Sequence, residues 1–88
     1  MNRVDVLIGA EKLINGQRAQ DYGDARDNFG RIAMMWTAIL DQDIEPEQVA
    51  LCMAALKICR LVGTLDHSDS WMDCAGYIAL GGELATAE

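Results

Sequence analysis

Apolar side chains recur three or four positions apart along most of this chain, which is the period of an α-helix and not of a strand. The clearest case is the stretch after Asp24, where the apolar positions share one side of a helix. These positions are Ala25, Phe29, Ile32, Ala33, Trp36, Ile39 and Leu40. No stretch alternates strictly between apolar and polar residues, and there is no repeat or low-complexity linker. The sequence therefore predicts a compact all-α fold in a single domain, residues 1–88.

Polar segments divide this pattern into four predicted helices. The first is expected from Arg3 to Ile14, and the Asn-Gly pair that follows suits a left-handed C-cap. Its inward face would carry Val4, Leu7, Ile8 and Ile14. The second follows Asp24, whose carboxylate suits an N-cap.

The third and fourth predicted helices are joined by a short turn. Pro46 suits the first turn of the third helix, and Gly63 suits its end. Its expected buried stripe is Val49, Cys52, Met53, Leu56 and Cys59. The fourth helix would begin between Asp66 and Ser68. Because the turn through Gly63 is short, we expect a C-terminal antiparallel helix hairpin.

The chain is small for the amount of apolar side chain it carries. It has 88 residues, 9.6 kDa of mass and 51% hydrophobic residues. A single core of this size hides only part of such a surface, so some of it should be covered by a partner. We therefore expect a homo-oligomer.

Charge and the N-terminal segment limit the classes of partner. The formal net charge is -7, which disfavours nucleic-acid polymers and anionic membranes as partners. A nucleotide would need a local cluster of cations. The opening "MNRVDVLIGAEKL" has neither the pattern of a signal peptide nor that of a membrane span, so a cytoplasmic location is expected.

The three cysteines, Cys52, Cys59 and Cys74, lie among apolar residues and are interpreted as reduced core side chains. A zinc site formed with His67 would lack any CxxC pair, so no metal site is assigned to them.

One segment, "LKICRLVGTLDHSDSWMDCAGY", sets two cations against three carboxylates. Arg60 falls about 20° from Val49 around the third helix, in the middle of the expected apolar stripe. Lys57 flanks the same stripe one turn earlier. The expected hairpin would bring Asp69 and Asp73 towards these cations.

Two interpretations of this cluster stay open. In the first, Arg60 pairs with Asp69 or Asp73 as a partly buried bridge that fixes the hairpin, while Asp66 or Ser68 caps the next helix. In the second, the cluster faces a cleft in which Lys57 and Arg60 contact phosphate. The carboxylates would then orient the cations or hold a metal ion.

A second cluster lies in the connector "QRAQDYGD", where Arg18, Tyr22 and Arg26 recur at four-residue intervals. Tyr22 is either a turn residue that packs over the end of the bundle, or an aromatic platform between two guanidinium groups. Arginine and aromatic side chains together can hold a nucleobase and its phosphates.

The segments "DYGDARDNF", "LKICR" and "DSWMDCAGYIAL" resemble a family of small proteins encoded mainly by tailed bacteriophages and prophages. More distantly, "KxxR…DSxxDxxGY" is similar to the second half of MazG-type all-α nucleotide pyrophosphohydrolases. Those enzymes hold magnesium with an ExxE pair and an E/DxxD pair. This chain departs from them, because "NFGRIAMMW" contains no ExxE. The resemblance implies a phage protein on a helical scaffold suited to nucleotides.

These observations predict a phage-type protein that sequesters a nucleotide-derived ligand, such as a cyclic or immune-signalling nucleotide, at subunit interfaces and so counters host defence. No catalytic residue, cofactor or metal is assigned. The expected ligand-binding residues are Arg18, Tyr22, Arg26, Lys57, Arg60, Asp69, Asp73 and Tyr77. One alternative is a magnesium-dependent MazG-like pyrophosphohydrolase, with Asp69 and Asp73 as the metal ligands. Another is a structural or host-protein-binding helical oligomer.

Overall fold

The computed structural model describes residues 1–16, 20 and 23–87. Within these ranges the chain forms four α-helices and no strand, as the sequence predicts. The helices are α1 (Arg3–Asn15), α2 (Ala25–Leu40), α3 (Pro46–Gly63) and α4 (Ser68–Thr86). They form a globule of 40 × 28 × 23 Å with a radius of gyration of 13.5 Å.

Local capping explains where the helices begin. The backbone N–H of Asp5 donates to the Asn2 side chain at 2.9 Å, which caps α1. The Asp24 carboxylate accepts from the backbone N–H of Arg26 at 2.7 Å and caps α2, as predicted. Pro46 occupies the first turn of α3, also as predicted.

Two helix ends differ from expectation. Gly16 caps α1 in an extended conformation with φ of -93°, so the predicted left-handed cap is wrong. The left-handed residue is instead Asp41, with φ of 53°, at the end of α2. At the start of α4 the cap is His67, whose Nδ1 accepts from the backbone N–H of Ser70 at 3.2 Å.

Helix α4 packs against both α1 and α3, while α2 packs against α3. Two glycines of α4 allow close approach. A methyl group added at Gly76 would lie 3.0 Å from Ile14 Cγ2, and one added at Gly81 would lie 3.0 Å from Ala50 Cβ. The backbone of α4 therefore runs close to both neighbouring helices.

The largest buried cluster joins α2, α3 and the end of α4. Its buried members are Phe29, Ala33, Val49, Ala50 and Leu84. Partly buried side chains surround them, namely Ile32, Trp36, Ile44, Met53, Tyr77 and Leu80. The predicted apolar face of α2 is thus confirmed at its centre, although Ile39 and Leu40 near its end are exposed.

The predicted inward face of α1 is confirmed at Ile14, which is half-buried against α4, and is wrong at its other three positions. Ala10 is the buried residue of this helix, whereas Val4, Leu7 and Ile8 are exposed. Close packing against α4 explains the difference, because Gly9 meets Met72 and Ala10 approaches Gly76. A small residue is buried at this tight contact, while larger ones remain at the surface.

The predicted stripe of α3 is also partly wrong. The buried residues are Val49, Ala50, Ala54 and Leu61, and Met53 is half-buried. The side chains of Cys52, Leu56 and Cys59 are exposed, and Cys74 is half-buried, so the prediction of three core cysteines fails. The reason is that α3 is apolar on nearly every side, so spacing alone does not identify the side that meets α4.

No helix in the described ranges has both the length and the apolar character needed to cross a membrane.

Candidate functional site

A pocket of about 770 Å³ opens where the end of α1, the start of α2, the middle of α3 and the second half of α4 meet. Its apolar wall comes from several helices: Leu13, Ile14, Phe29, Ile32, Met53, Leu80 and Leu84. Its charged and hydrogen-bonding groups are Asn15, Asp24, Arg26, Asn28, Lys57, Asp73, Tyr77 and Glu83. The pocket therefore combines an apolar wall with cations, carboxylates and a phenol.

Lys57 and Asp73 form an ion pair across α3 and α4. Lys57 Nζ lies 3.0 Å from Asp73 Oδ2, and the two side chains are only 15% and 16% exposed. Lys57 occupies the buried stripe of α3, one turn beyond Ala54 and one turn before Leu61. The pair thus holds a cation at the wall of the pocket, where it is partly shielded from water.

Tyr77 follows Asp73 by one turn of α4 and lines the same pocket. Its ring packs against Phe29 of α2, with the ring centroids 6.4 Å apart and the planes tilted by 39°. This distance is typical of interacting aromatic pairs. An aromatic surface is therefore fixed beside the Lys57–Asp73 pair.

Arg26 lies in the first turn of α2 and lines the pocket, but its side chain is exposed. It follows the N-cap residue Asp24, whose carboxylate is engaged by the backbone of the helix. Arg26 therefore places a second cation at the pocket, nearer to solvent than Lys57.

The structure brings together part of the predicted site. Four predicted residues line the pocket: Arg26, Lys57, Asp73 and Tyr77. Arg60 and Asp69 are exposed and lie outside the pocket lining. Arg18 and Tyr22 were also predicted to bind ligand, but they lie outside the described residues.

The interpretation of Arg60 as a partly buried bridge to Asp69 or Asp73 is wrong. Asp73 pairs with Lys57, and Arg60 is exposed. Lys57 and Arg60 are three residues apart on α3 and therefore lie near each other around the helix. The rotation of α3 decides which of the two cations faces Asp73. The second interpretation, in which the carboxylates orient the cations, agrees with the pairing of Asp73 with Lys57.

Sequence reasoning missed Glu83, which also lines the pocket. Spacing could have identified it, because Asp73, Tyr77, Leu80 and Glu83 follow one another at intervals of four, three and three residues. These intervals place them on one side of α4. Asn28 was missed as well, and nothing in its local pattern indicates a site.

His67 and the carboxylates do not assemble into a metal centre within the described ranges. There, no three His, Cys, Asp or Glu residues lie together as a set able to hold a metal ion. His67 is engaged at the start of α4, where its Nδ1 also lies 2.7 Å from the hydroxyl of the buried Ser70.

Comparison with known proteins identifies relatives in two mycobacteriophages. A "Gene 55 protein" of Mycobacterium phage L5 is 48% identical over 75 residues, which are 84% of this chain and 48% of the phage protein. A "Gene 55 protein" of Mycobacterium phage D29 is 42% identical over 72 residues, covering 82% of this chain and 48% of its own length. The chain therefore spans about half the length of these curated relatives.

No solved structure matches the chain. The expectation of a phage-encoded helical family is confirmed, while the likeness to MazG-type enzymes stays an expectation. A sequence profile described as "Domain of unknown function (DUF6378)" matches residues 5–85. The chain therefore belongs to the DUF6378 family.

Proposed function

We propose that this chain binds a nucleotide-derived ligand in the pocket described above and sequesters it without cleaving it. One observation carries the proposal: two cations, Lys57 and Arg26, share a pocket with the packed aromatic pair Tyr77 and Phe29. The two cations can bind the phosphate groups of a nucleotide, and an aromatic surface can pack against its base. The volume of about 770 Å³ is in the range of small-molecule sites.

The Lys57–Asp73 pair gives the site a fixed phosphate-binding group. At 3.0 Å the carboxylate holds the ammonium in one place, and the low exposure of both side chains limits competition from water. A lysine ammonium has three N–H donors, so Lys57 can contact a phosphate oxygen while it stays bound to Asp73. Arg26, at the exposed side, can contact a second phosphate or a ribose.

The antiparallel hairpin of α3 and α4 belongs to this proposal, because it brings the two halves of the ion pair together. Gly81 approaches Ala50, Cys74 Sγ lies 3.7 Å from the carbonyl oxygen of Ala54, and Asp73 pairs with Lys57. Residue numbers fall along α4 as they rise along α3, which supports the antiparallel arrangement. The pocket is built within one chain, so a site at a subunit interface stays a separate prediction.

Sequestration is proposed rather than hydrolysis because of the carboxylates. Asp73 is engaged by Lys57, Asp69 lies outside the pocket lining, and "NFGRIAMMW" supplies no ExxE pair. A magnesium-dependent hydrolase needs several free carboxylate oxygens around its metal ions. Of the three carboxylates that line the pocket, Asp73 is engaged by Lys57 and Asp24 by the backbone N–H of Arg26, which leaves Glu83 alone among the described residues to hold a metal ion.

The relatives in two mycobacteriophages suggest the setting. A phage benefits when a nucleotide signal of host defence is removed from the cytoplasm of the infected cell. A small protein that binds such a signal and does not release it would serve this purpose, which is the biological role we assign to the pocket.

The test is a panel of nucleoside mono-, di- and triphosphates and cyclic mono- and dinucleotides, each with and without magnesium. Thermal shift identifies the bound ligand, and chromatography before and after heat release shows whether it is intact. We expect a ligand that raises the melting temperature and is returned unchanged. A cleaved ligand would establish the hydrolase alternative, and no shift with any nucleotide would favour the structural or host-protein-binding alternative.

A matched pair of variants separates binding from metal chemistry. Asp73→Asn keeps the shape and one acceptor oxygen, so we expect modestly weaker binding that magnesium changes little. Asp69→Asn, one turn earlier and outside the pocket, should bind as wild type does. Wild-type affinity that collapses in EDTA would contradict a metal-free site.

A further inference from the structure

Helix α3 carries a second apolar stripe on the side turned away from the pocket. Leu51, Ala55, Ile58 and Val62 follow one another at intervals of four, three and four residues, and all are exposed. The exposed fractions of the three large side chains are 58%, 52% and 78%. We call these four residues the α3 seam. It lies about 120° around the helix from the buried stripe that contains Ala54 and Lys57.

The spacing of the seam is the one found where two helices pack along each other. Alternating intervals of three and four residues keep an apolar row facing a partner helix. A helix that is apolar on nearly every side is typically buried on every side. Helix α3 has inner partners in α2 and α4, and neither covers the seam, whose four residues are exposed.

We propose that the seam binds the same seam of a second copy of this chain, with the two α3 helices antiparallel. This inference is independent of the proposed function, because the seam and the pocket occupy different sides of α3. Self-association through α3 would leave the pocket accessible in both copies.

Side-chain size supports a second copy as the occupant. In the antiparallel arrangement Ala55 faces Ile58 of the other copy, and Leu51 faces Val62. A small residue then lies opposite a large one in the central layers, which fills space well. In a parallel arrangement Ala55 would face Ala55 and leave a gap.

Charge also supports self-association at this face. The chain carries 14 acidic residues, yet none lies between residues 48 and 65, where the only charged side chains are Lys57 and Arg60. Two copies with a net charge of -7 repel each other over most of their surface. The seam is a region where contact brings no carboxylates together.

The total accessible surface of the chain is also large for its mass. A monomer of this mass has an accessible surface of about 5,100 Å². The accessible surface of this chain is 6230 Å². The difference of about 1,100 Å² belongs to the whole chain, and a standard interface covers roughly 800 Å² on each partner, so the contact would extend beyond the four seam residues.

Light scattering on wild-type protein and two charge variants tests the proposal. We expect wild type at micromolar concentration to have twice the 9.6 kDa chain mass. Ile58→Glu should raise the dissociation constant of the dimer by at least about 100-fold, because the contact would bury unpaired carboxylates. Ile39→Glu is the matched control, since Ile39 is 70% exposed on α2 and outside the seam.

Circular dichroism and thermal melting verify that each variant is folded, which is expected because both positions are exposed. A wild-type monomer at 100 µM would overturn the proposal. So would a dimer that survives Ile58→Glu, or one that dissociates equally in both variants.

Cysteine cross-linking tests the orientation. Cys52 and Cys59 are exposed and flank the seam, so antiparallel helices place Cys52 of one copy near Cys59 of the other. Mild oxidation with copper phenanthroline should then yield a covalent dimer. Cys52→Ser or Cys59→Ser alone should abolish it, a mixture of the two variants should restore it, and Cys74→Ser should leave it unchanged. A cross-link that survives Cys52→Ser would overturn the antiparallel arrangement.

Discussion

Lys57 and Asp73 are the residues on which both the fold and the proposed site depend. Their ion pair spans α3 and α4 at 3.0 Å and lines the pocket. Because both side chains are largely buried, the charge of one compensates the desolvation of the other. Arg60, three residues beyond Lys57, reaches solvent and has no such constraint.

Replacing Lys57 by Met should lower the free energy of unfolding by about 2 kcal/mol, since Asp73 would remain as an unpaired, partly buried carboxylate. Arg60→Met removes the same charge from an exposed position and should change it by less than about 0.5 kcal/mol. Urea denaturation measures both. Adding Asp73→Asn to Lys57→Met should recover part of the lost free energy of unfolding. Equal losses in Lys57→Met and Arg60→Met would contradict the assigned ion pair.

At the scale of the helices, capping residues determine the boundaries that the sequence predicts well. Asp24 and Pro46 start their helices where expected, because each satisfies or removes free N–H groups at a helix start. Helix faces are predicted less well. In α1 and α3 the buried residues include Ala10 and Ala50, which contribute little to an apolar pattern dominated by larger side chains.

For the candidate site, too, positions along a helix are predicted better than the face that a helix turns towards its neighbour. The one-turn spacing of Asp73 and Tyr77 allowed both to be predicted on one side of α4. The choice between Lys57 and Arg60 could not be made, because it depends on how α3 is rotated against α4. That rotation depends on contacts between residues distant in sequence, such as Ala50 and Gly81, which lie 31 residues apart.

Gly81 and Gly82 offer a direct test of close packing between α3 and α4. An added methyl group at Gly81 would lie 3.0 Å from Ala50 Cβ, whereas nothing lies within 4 Å of one added at Gly82. Alanine is favoured over glycine in helices by about 1 kcal/mol. Gly82→Ala should therefore raise the free energy of unfolding by up to that amount. Gly81→Ala should lower it, since the short Ala50 side chain cannot move aside without a shift of the helix.

Thermal or urea denaturation of Gly81→Ala and Gly82→Ala measures the two changes in stability. If the two substitutions stabilise the protein equally, the helices are not in close contact at Gly81.

At the scale of the whole molecule, a chain of 88 residues leaves a large apolar surface outside its core. The pocket and the α3 seam lie on separate sides of α3, and each carries one of the two proposals. The phage relatives, about twice as long, carry further chain in addition to the matched region. In the proposed dimer a second copy covers the seam, and the pocket remains free for ligand.

Isothermal titration with the nucleotide that gives the largest thermal shift tests the central claim most directly. Wild type, Lys57→Gln, Arg26→Gln and Arg60→Gln are compared, with circular dichroism to verify folding. The three variants lose one positive charge each, but only Lys57 and Arg26 line the pocket. We predict at least about tenfold weaker binding for Lys57→Gln and Arg26→Gln, and a change of less than about twofold for Arg60→Gln. Equal weakening in all three variants, or unchanged binding in all three, would contradict the assignment of the ligand to this pocket.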